Sequence, residues 1–128
     1  IDLVVAPLDV THKALTSKTW ITDLRAKNSQ ACSTIAGWVD FFERFDSDKY
    51  GSQGAPLHDP CVIAYLIAPE LFSGRHINVE IETQSELTRG MTVADWWGVT
   101  DRTANALFLE NIDAPGYFNL ITQRVASL

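Results

Sequence analysis

The chain has 128 residues, a formal net charge of −6 at pH 7, and 46% hydrophobic against 20% charged residues. That is enough chain for one domain with a real core, in the composition of a globular protein. The acidic balance, with no Lys/Arg run to offset it, argues against a nucleic-acid polymer or an anionic membrane as partner, and no apolar stretch approaches a transmembrane span.

Leu3 to Leu8 is apolar and partly β-branched, which predicts a buried strand closing at Pro7 to Asp9. A chain that opens on such a run, Ile1-Asp2-Leu3-Val4-Val5-Ala6, reads as the interior of a longer protein. Thr11 is placed to cap a short helical turn from His12 to Leu15. His12 follows a strand directly, and ligands of open α/β sheets gather at the carboxyl ends of strands, so it is a minor candidate. Thr19 to Lys27 predicts a second short helix, with Asn28 as its stop. From Ser33 to about Asp46, Ile35, Trp38, Val39, Phe42 and Phe45 recur at spacings of three and four, and Phe41 widens the stripe. This spacing predicts an amphipathic helix whose aromatic face packs on the core. The polar stretch Asp46 to Gly51 is expected to end it and to leave Tyr50 in a loop.

The segment Gly54-Ala55-Pro56-Leu57-His58-Asp59-Pro60 organises the chain. Gly and Pro predict a loop, Asp59 falls at a helix N-cap and Pro60 at the first helical position. The run from Cys61 to Ala68 is apolar on nearly every face, so its helix is expected to be buried. Asp-Pro before an apolar run is also an ordinary helix start, and a structural role for Asp59 competes with a chemical one. A His and an Asp side by side at such a place could hold a cation and move a proton.

After Pro69, Glu70 to Gly74 reads as a turn. Ile77, Val79 and Ile81 alternate with Asn78, Glu80 and Glu82, a half-buried strand, and Thr88 to Ala94 is its hairpin partner with Met91 and Val93 facing in. Glu80 and Glu82 share a face and could serve as paired carboxylates, but the solvated side of an edge strand is the ordinary reading. Trp96-Trp97 is expected to cover a core or a subunit contact. Asn105 to Glu110 is a last strand, and Asp113 caps a final helix with Pro115 in its first turn. Cys32 and Cys61 are isolated in apolar surroundings and read as reduced core thiols of a cytosolic protein. The order of elements predicts a single α/β region over residues 1–128, with an antiparallel hairpin. The chain carries no phosphate-binding glycine loop, CxxC, HExxH or nucleophile elbow. One carboxylate cannot hold a hard divalent cation, which takes about six to eight oxygen ligands. The residues by themselves therefore amount to half a site, one proton donor and one cation ligand at a helix start.

Three segments carry a resemblance. Gly54-Ala55-Pro56-Leu57-His58-Asp59-Pro60-Cys61, the stretch Ile81-Glu82-Thr83-Gln84-Ser85-Glu86-Leu87-Thr88-Arg89-Gly90-Met91-Thr92-Val93-Ala94-Asp95, and Pro7-Leu8-Asp9-Val10-Thr11-His12-Lys13 resemble, in order, the C-terminal part of the inosine-uridine nucleoside hydrolases. The resemblance implies the C-terminal part of an open mixed sheet with flanking helices and an antiparallel hairpin. It implies hydrolysis of the N-glycosidic bond of ribonucleosides to ribose and free base, with a bound calcium (Ca2+) that holds the ribose hydroxyls and a nucleophilic water. Most of the family's calcium ligands, and its aspartate base, lie in an N-terminal aspartate-rich motif that this sequence does not contain. Of the calcium shell only Asp59 is matched, and His58 falls at the histidine used near the leaving base as a proton donor. Tyr50 stands at the spacing of a tyrosine that lines the base pocket in pyrimidine-preferring relatives. A His before the aspartate resembles the pyrimidine-preferring or broad-specificity branch. The resemblance further implies a cytoplasmic salvage enzyme that forms dimers or tetramers, and a chain that is inactive without the rest of the enzyme. The rival reading is a non-catalytic partner- or nucleoside-binding module in which His58 and Asp59 are structural.

Overall fold

A computed structural model describes residues 1–50 and 54–128, the side chains of residues 44–50 excepted. Strand β1 (Val4–Val5) is followed by the one-turn helix α1 (Leu8–Thr11), then α2 (Lys18–Arg25), α3 (Gln30–Tyr50) and α4 (Pro60–Ile67). A 3-10 turn at Pro69–Leu71 leads into β2 (Phe72–Ile77) and β3 (Val79–Ile81), then β4 (Thr92–Ala94), β5 (Ala106–Ile112) and α5 (Ala114–Ala126). The strands form a mixed sheet in the order β1-β5-β2, with β1 parallel and β2 antiparallel to β5, beside a two-stranded antiparallel hairpin of β3 and β4. This is the α/β architecture with mixed sheet, flanking helices and hairpin that the sequence predicts.

Local signals explain the helix ends. Ser17 accepts the Trp20 N–H at 3.1 Å and starts α2, and Asn28 takes the left-handed conformation (φ 54°) that stops the chain from continuing as helix. Asp113 accepts the Gly116 N–H at 3.1 Å and caps α5, with Pro115 in the first turn as expected. Asp59 behaves differently. It occupies the N-cap position of α4, yet its side chain makes no capping hydrogen bond.

Other expectations are corrected. Strand β1 is only two residues long and its Val4 is exposed, because it lies at the sheet edge. Thr11 ends a helix and does not begin one. Helix α3 runs on to Tyr50 through the stretch read as a loop. Phe72 to Gly74 extend β2 and do not turn; β2 instead carries a register shift between Ser73 and Gly74. Gly74 fits there because a Cβ would lie 2.3 Å from the Phe108 carbonyl oxygen. Met91 and Val93 of the hairpin are exposed, not inward-facing. Trp96 packs edge-on against Phe108 under the Arg75 guanidinium, while Trp97 stands in the open.

The core has two clusters. Ile21, Leu24, Cys32, Ala36 and Val39 join α2 to α3, and Ala14, Cys61, Ala64 and Tyr117 join α4 to α5. The buried face of α3 is thus its small-residue face. Trp38, Phe41 and Phe42, aromatics of the stripe expected inside, are more than 60% exposed, and the Phe45 side chain lies outside the described residues. Helix α4 likewise buries Cys61 and Ala64 but exposes Val62, Ile63, Leu66 and Ile67. Close helix packing selects small side chains at the contact, which leaves the large ones at the flanks. Leu57 packs against both clusters, so the residue before His58 is anchored on both sides.

Candidate active site

The loop from Gly54 to Asp59 is bound along its length to the segment Thr11–Thr16. The Thr16 N–H donates to the Ala55 carbonyl at 3.0 Å, the Ala55 N–H to Thr16 Oγ1 at 3.0 Å, and the Leu57 N–H to the Ala14 carbonyl at 3.0 Å. Leu15 and Pro56 pair across an isolated antiparallel bridge. Gly54 enters this pairing at φ 119°, and a Cβ there would sit 2.1 Å from the Thr16 carbonyl oxygen, so only glycine fits. The loop is therefore laid against Ala14–Thr16, the residues that directly follow Pro7–Lys13, another segment that carries the resemblance.

Tyr117 locks the loop from below. Its side chain is fully buried and its hydroxyl donates to the Leu57 carbonyl at 2.9 Å. The Cys61 thiol donates to the same carbonyl at 3.2 Å. Burial pushes the Tyr117 hydroxyl far above the ordinary phenol range, and burial also raises the Cys61 thiol against a smaller opposing effect of its contact with Tyr117. Both cysteines are free and buried, as expected.

His58, half-buried, is the centre of the constellation. Its Nδ1 lies 2.7 Å from Oγ1 of Thr11, which is itself buried. The His12 ring stands 5.3 Å from the His58 ring, centroid to centroid, tilted by 49°. His12, a minor candidate in the sequence, is thus brought beside the principal one. Asp59 is exposed, and its carboxylate is left open by the missing cap. It also forms part of the wall of an apolar groove of about 590 Å³ between α3, α4 and α5, where Trp38, Phe42, Ile63 and Ile67 face one another. Tyr50 closes α3, and its side chain lies outside the described residues.

Sequence reasoning missed Thr11 and Tyr117 as site residues. Thr11 has a signal, its place beside His12 in a segment that carries the resemblance, but in sequence a threonine there reads equally as a helix cap. Tyr117 had none, since an aromatic residue on the inner side of a helix reads as plain core. Glu80 and Glu82 do not act as a pair: Glu80 meets Arg102 at 3.0 Å, and Glu82 accepts the backbone N–H groups of Gln84 and Ser85.

As a metal site the arrangement is incomplete. Among the described residues no three His, Cys, Asp or Glu side chains come together in a way that could hold an ion. Asp59 offers one uncommitted carboxylate where a calcium ion takes about six to eight oxygens. These residues do not by themselves fit the ion.

Residues 1–119 match the family described as inosine-uridine preferring nucleoside hydrolase. Over 128 residues the chain is 40% identical to an uncharacterized protein of Schizosaccharomyces pombe, covering all of this chain and 41% of that one. It is 44% identical over 124 residues to the pyrimidine-specific ribonucleoside hydrolase RihA of Shewanella woodyi, covering 96% of this chain and 40% of the relative. Among solved structures, a purine-preferring ribonucleoside hydrolase from Gardnerella vaginalis superposes with a TM-score of 0.79 at 26% identity, over 94% of this chain and 38% of that one. A plant nucleoside hydrolase superposes at 0.84 with 18% identity, over 99% of this chain and 42% of that one, a likeness of fold alone. The chain spans about two fifths of the length of the relatives it matches.

Proposed function

The chain belongs to the inosine-uridine preferring nucleoside hydrolase family, and from that premise we propose that the protein carrying it hydrolyses the N-glycosidic bond of ribonucleosides to ribose and free base. The observation that supports this reading is the His58–Asp59 pair on a loop held rigidly from both sides, with one histidine nitrogen tied to Thr11 and the carboxylate left free. When the bond from the anomeric carbon to the base nitrogen breaks, its electron pair stays on the base, and water supplies the hydroxyl that the ribose carbon gains. A donor beside the base stabilises that developing negative charge. His58 fills the role, an effect typically worth about 10²- to 10⁴-fold in rate.

Asp59 is proposed as this chain's single contribution to a calcium site whose other ligands lie outside these residues, and Tyr50 as a wall of the base pocket. Uridine is the first substrate to test, because relatives 40–44% identical are named pyrimidine-specific ribonucleoside hydrolases. A cytoplasmic setting accords with two buried, unbridged cysteines, and among the described residues no helix is long and apolar enough to cross a membrane. A dimer or tetramer of the intact enzyme belongs to the same proposal.

The test is ribose release from uridine and inosine, with calcium present, by the intact protein, its His58→Ala and Asp59→Ala variants, and these 128 residues alone. Turnover by the intact protein that falls at least a hundredfold in each variant is expected, with none from the 128 residues alone. Full activity in His58→Ala would overturn the role of the histidine. Tight calcium binding by the 128 residues alone would overturn their incompleteness as a metal site.

A further inference from the structure

The bond between Thr11 and His58 has a direction, and the direction decides which atom His58 offers a ligand. Thr11 is 3% exposed, so its hydroxyl proton needs a partner inside the protein. The usual acceptor for a helical threonine hydroxyl is the carbonyl one turn back. Here that carbonyl belongs to Pro7, and it already accepts two backbone N–H groups, from Val10 at 3.0 Å and Thr11 at 3.1 Å. Both lone pairs are taken. Among the described residues, the one hydrogen-bond partner of Thr11 Oγ1 is His58 Nδ1, at 2.7 Å.

We propose that Thr11 is a positioning residue which donates its hydroxyl proton to His58 Nδ1, so that the neutral imidazole carries its own proton on Nε2. A neutral imidazole has one donor and one acceptor nitrogen, and committing Nδ1 as acceptor makes Nε2–H the donor. Turning the ring over would replace Nδ1 with a carbon at Thr11 and strand a buried hydroxyl, so the same bond sets both tautomer and orientation. The Leu57–Tyr117 and Leu57–Ala14 bonds hold the preceding backbone in place, so Thr11 and His58 meet without either chain segment having to move. Nε2 has no hydrogen-bond partner among the described residues, which leaves its proton for a ligand. The chemistry it fits is an acceptor atom on a nucleobase, a ring nitrogen or an exocyclic carbonyl oxygen. This inference rests on the reading that the base sits at His58.

The test reads the tautomer directly. The intact protein, labelled with ¹⁵N at histidine, is examined by two-bond ¹H–¹⁵N correlation above the imidazole titration range, near pH 9 or so, and His58 is assigned from the spectrum of His58→Gln. The expected wild-type state is Nε2–H, retained in Thr11→Ser. In Thr11→Val the bias should fall by roughly five- to a hundredfold, the worth of a satisfied against a stranded buried hydroxyl. A wild-type Nδ1–H tautomer, or an unchanged tautomer ratio in Thr11→Val, would overturn the proposal. Should Thr11→Val fail to fold, the wild-type and Thr11→Ser spectra decide the matter alone. Because the spectrum needs no turnover, failure to release ribose would sink the hydrolase reading and leave the tautomer result to be judged separately.

Discussion

Replacing Tyr117 by Phe removes one oxygen from beneath the His58 loop and nothing else. The ring stays, so no cavity opens, and the Leu57 carbonyl keeps the weaker Cys61 thiol at 3.2 Å. The cost at neutral pH is therefore that of one net hydrogen bond without a stranded acceptor, about 1 kcal/mol, or roughly 3–6 °C in Tm for a domain of this size. The alkaline range makes the prediction sharper. In the unfolded chain a tyrosine ionises near about pH 10, whereas burial holds the folded Tyr117 hydroxyl protonated well beyond that. Above about pH 10 the folded state binds the extra proton, so this contribution to stability is complete below pH 10 and is lost as pH rises, by up to about 1.4 kcal/mol per unit. The phenylalanine variant has no such loss. Its deficit should close within about one pH unit above 10 and then invert. Urea unfolding of both proteins from neutral to alkaline pH, compared at constant m-value, measures this. A deficit that stays constant through the alkaline range would refute the assignment of a buried, proton-retaining Tyr117 beneath the loop.

Asp59→Asn should leave stability within about 0.5 kcal/mol, because the carboxylate caps nothing, while it lowers calcium affinity and turnover of the intact protein. A Tm loss of several degrees would mark Asp59 as structural after all. Gly54→Ala meets the Thr16 carbonyl oxygen at 2.1 Å from a left-handed φ, and should cost about 2–3 kcal/mol or more, read by thermal unfolding. An unshifted Tm would mean that the loop is not zipped to Thr16. Asp95 accepts the Thr100 hydroxyl and the Val99 and Thr100 N–H groups, with the hydroxyl the largest influence, and its carboxyl is held below the usual range. Its contribution is present above the ordinary aspartate pKa and is lost as pH falls through the lower, folded value. Asp95→Asn should accordingly flatten the acid limb of the stability profile measured by denaturant unfolding, and an unaltered limb would count against that turn.

Chain-local chemistry was enough to place much of this protein. The period of three and four in α3, the Asp113–Pro115 start of α5 and the Asn28 stop are short-range signals. They act within a turn or two of backbone. The resemblance of three segments to one family is likewise written in the sequence, which also makes His58 and Asp59 the candidates. What a residue faces is a different matter, because it depends on which elements approach. Trp38 and Phe42 share the helical period of Val39, yet α2 and α5 meet α3 on its small-residue side, and the aromatics were left at the groove. Asp59 stands at a cap position by sequence but reaches no orphan N–H. Thr11 and His58 are 47 residues apart. Only the tertiary pairing of their two segments brings the hydroxyl to the imidazole, because no local rule couples a helix end to a loop that distance away.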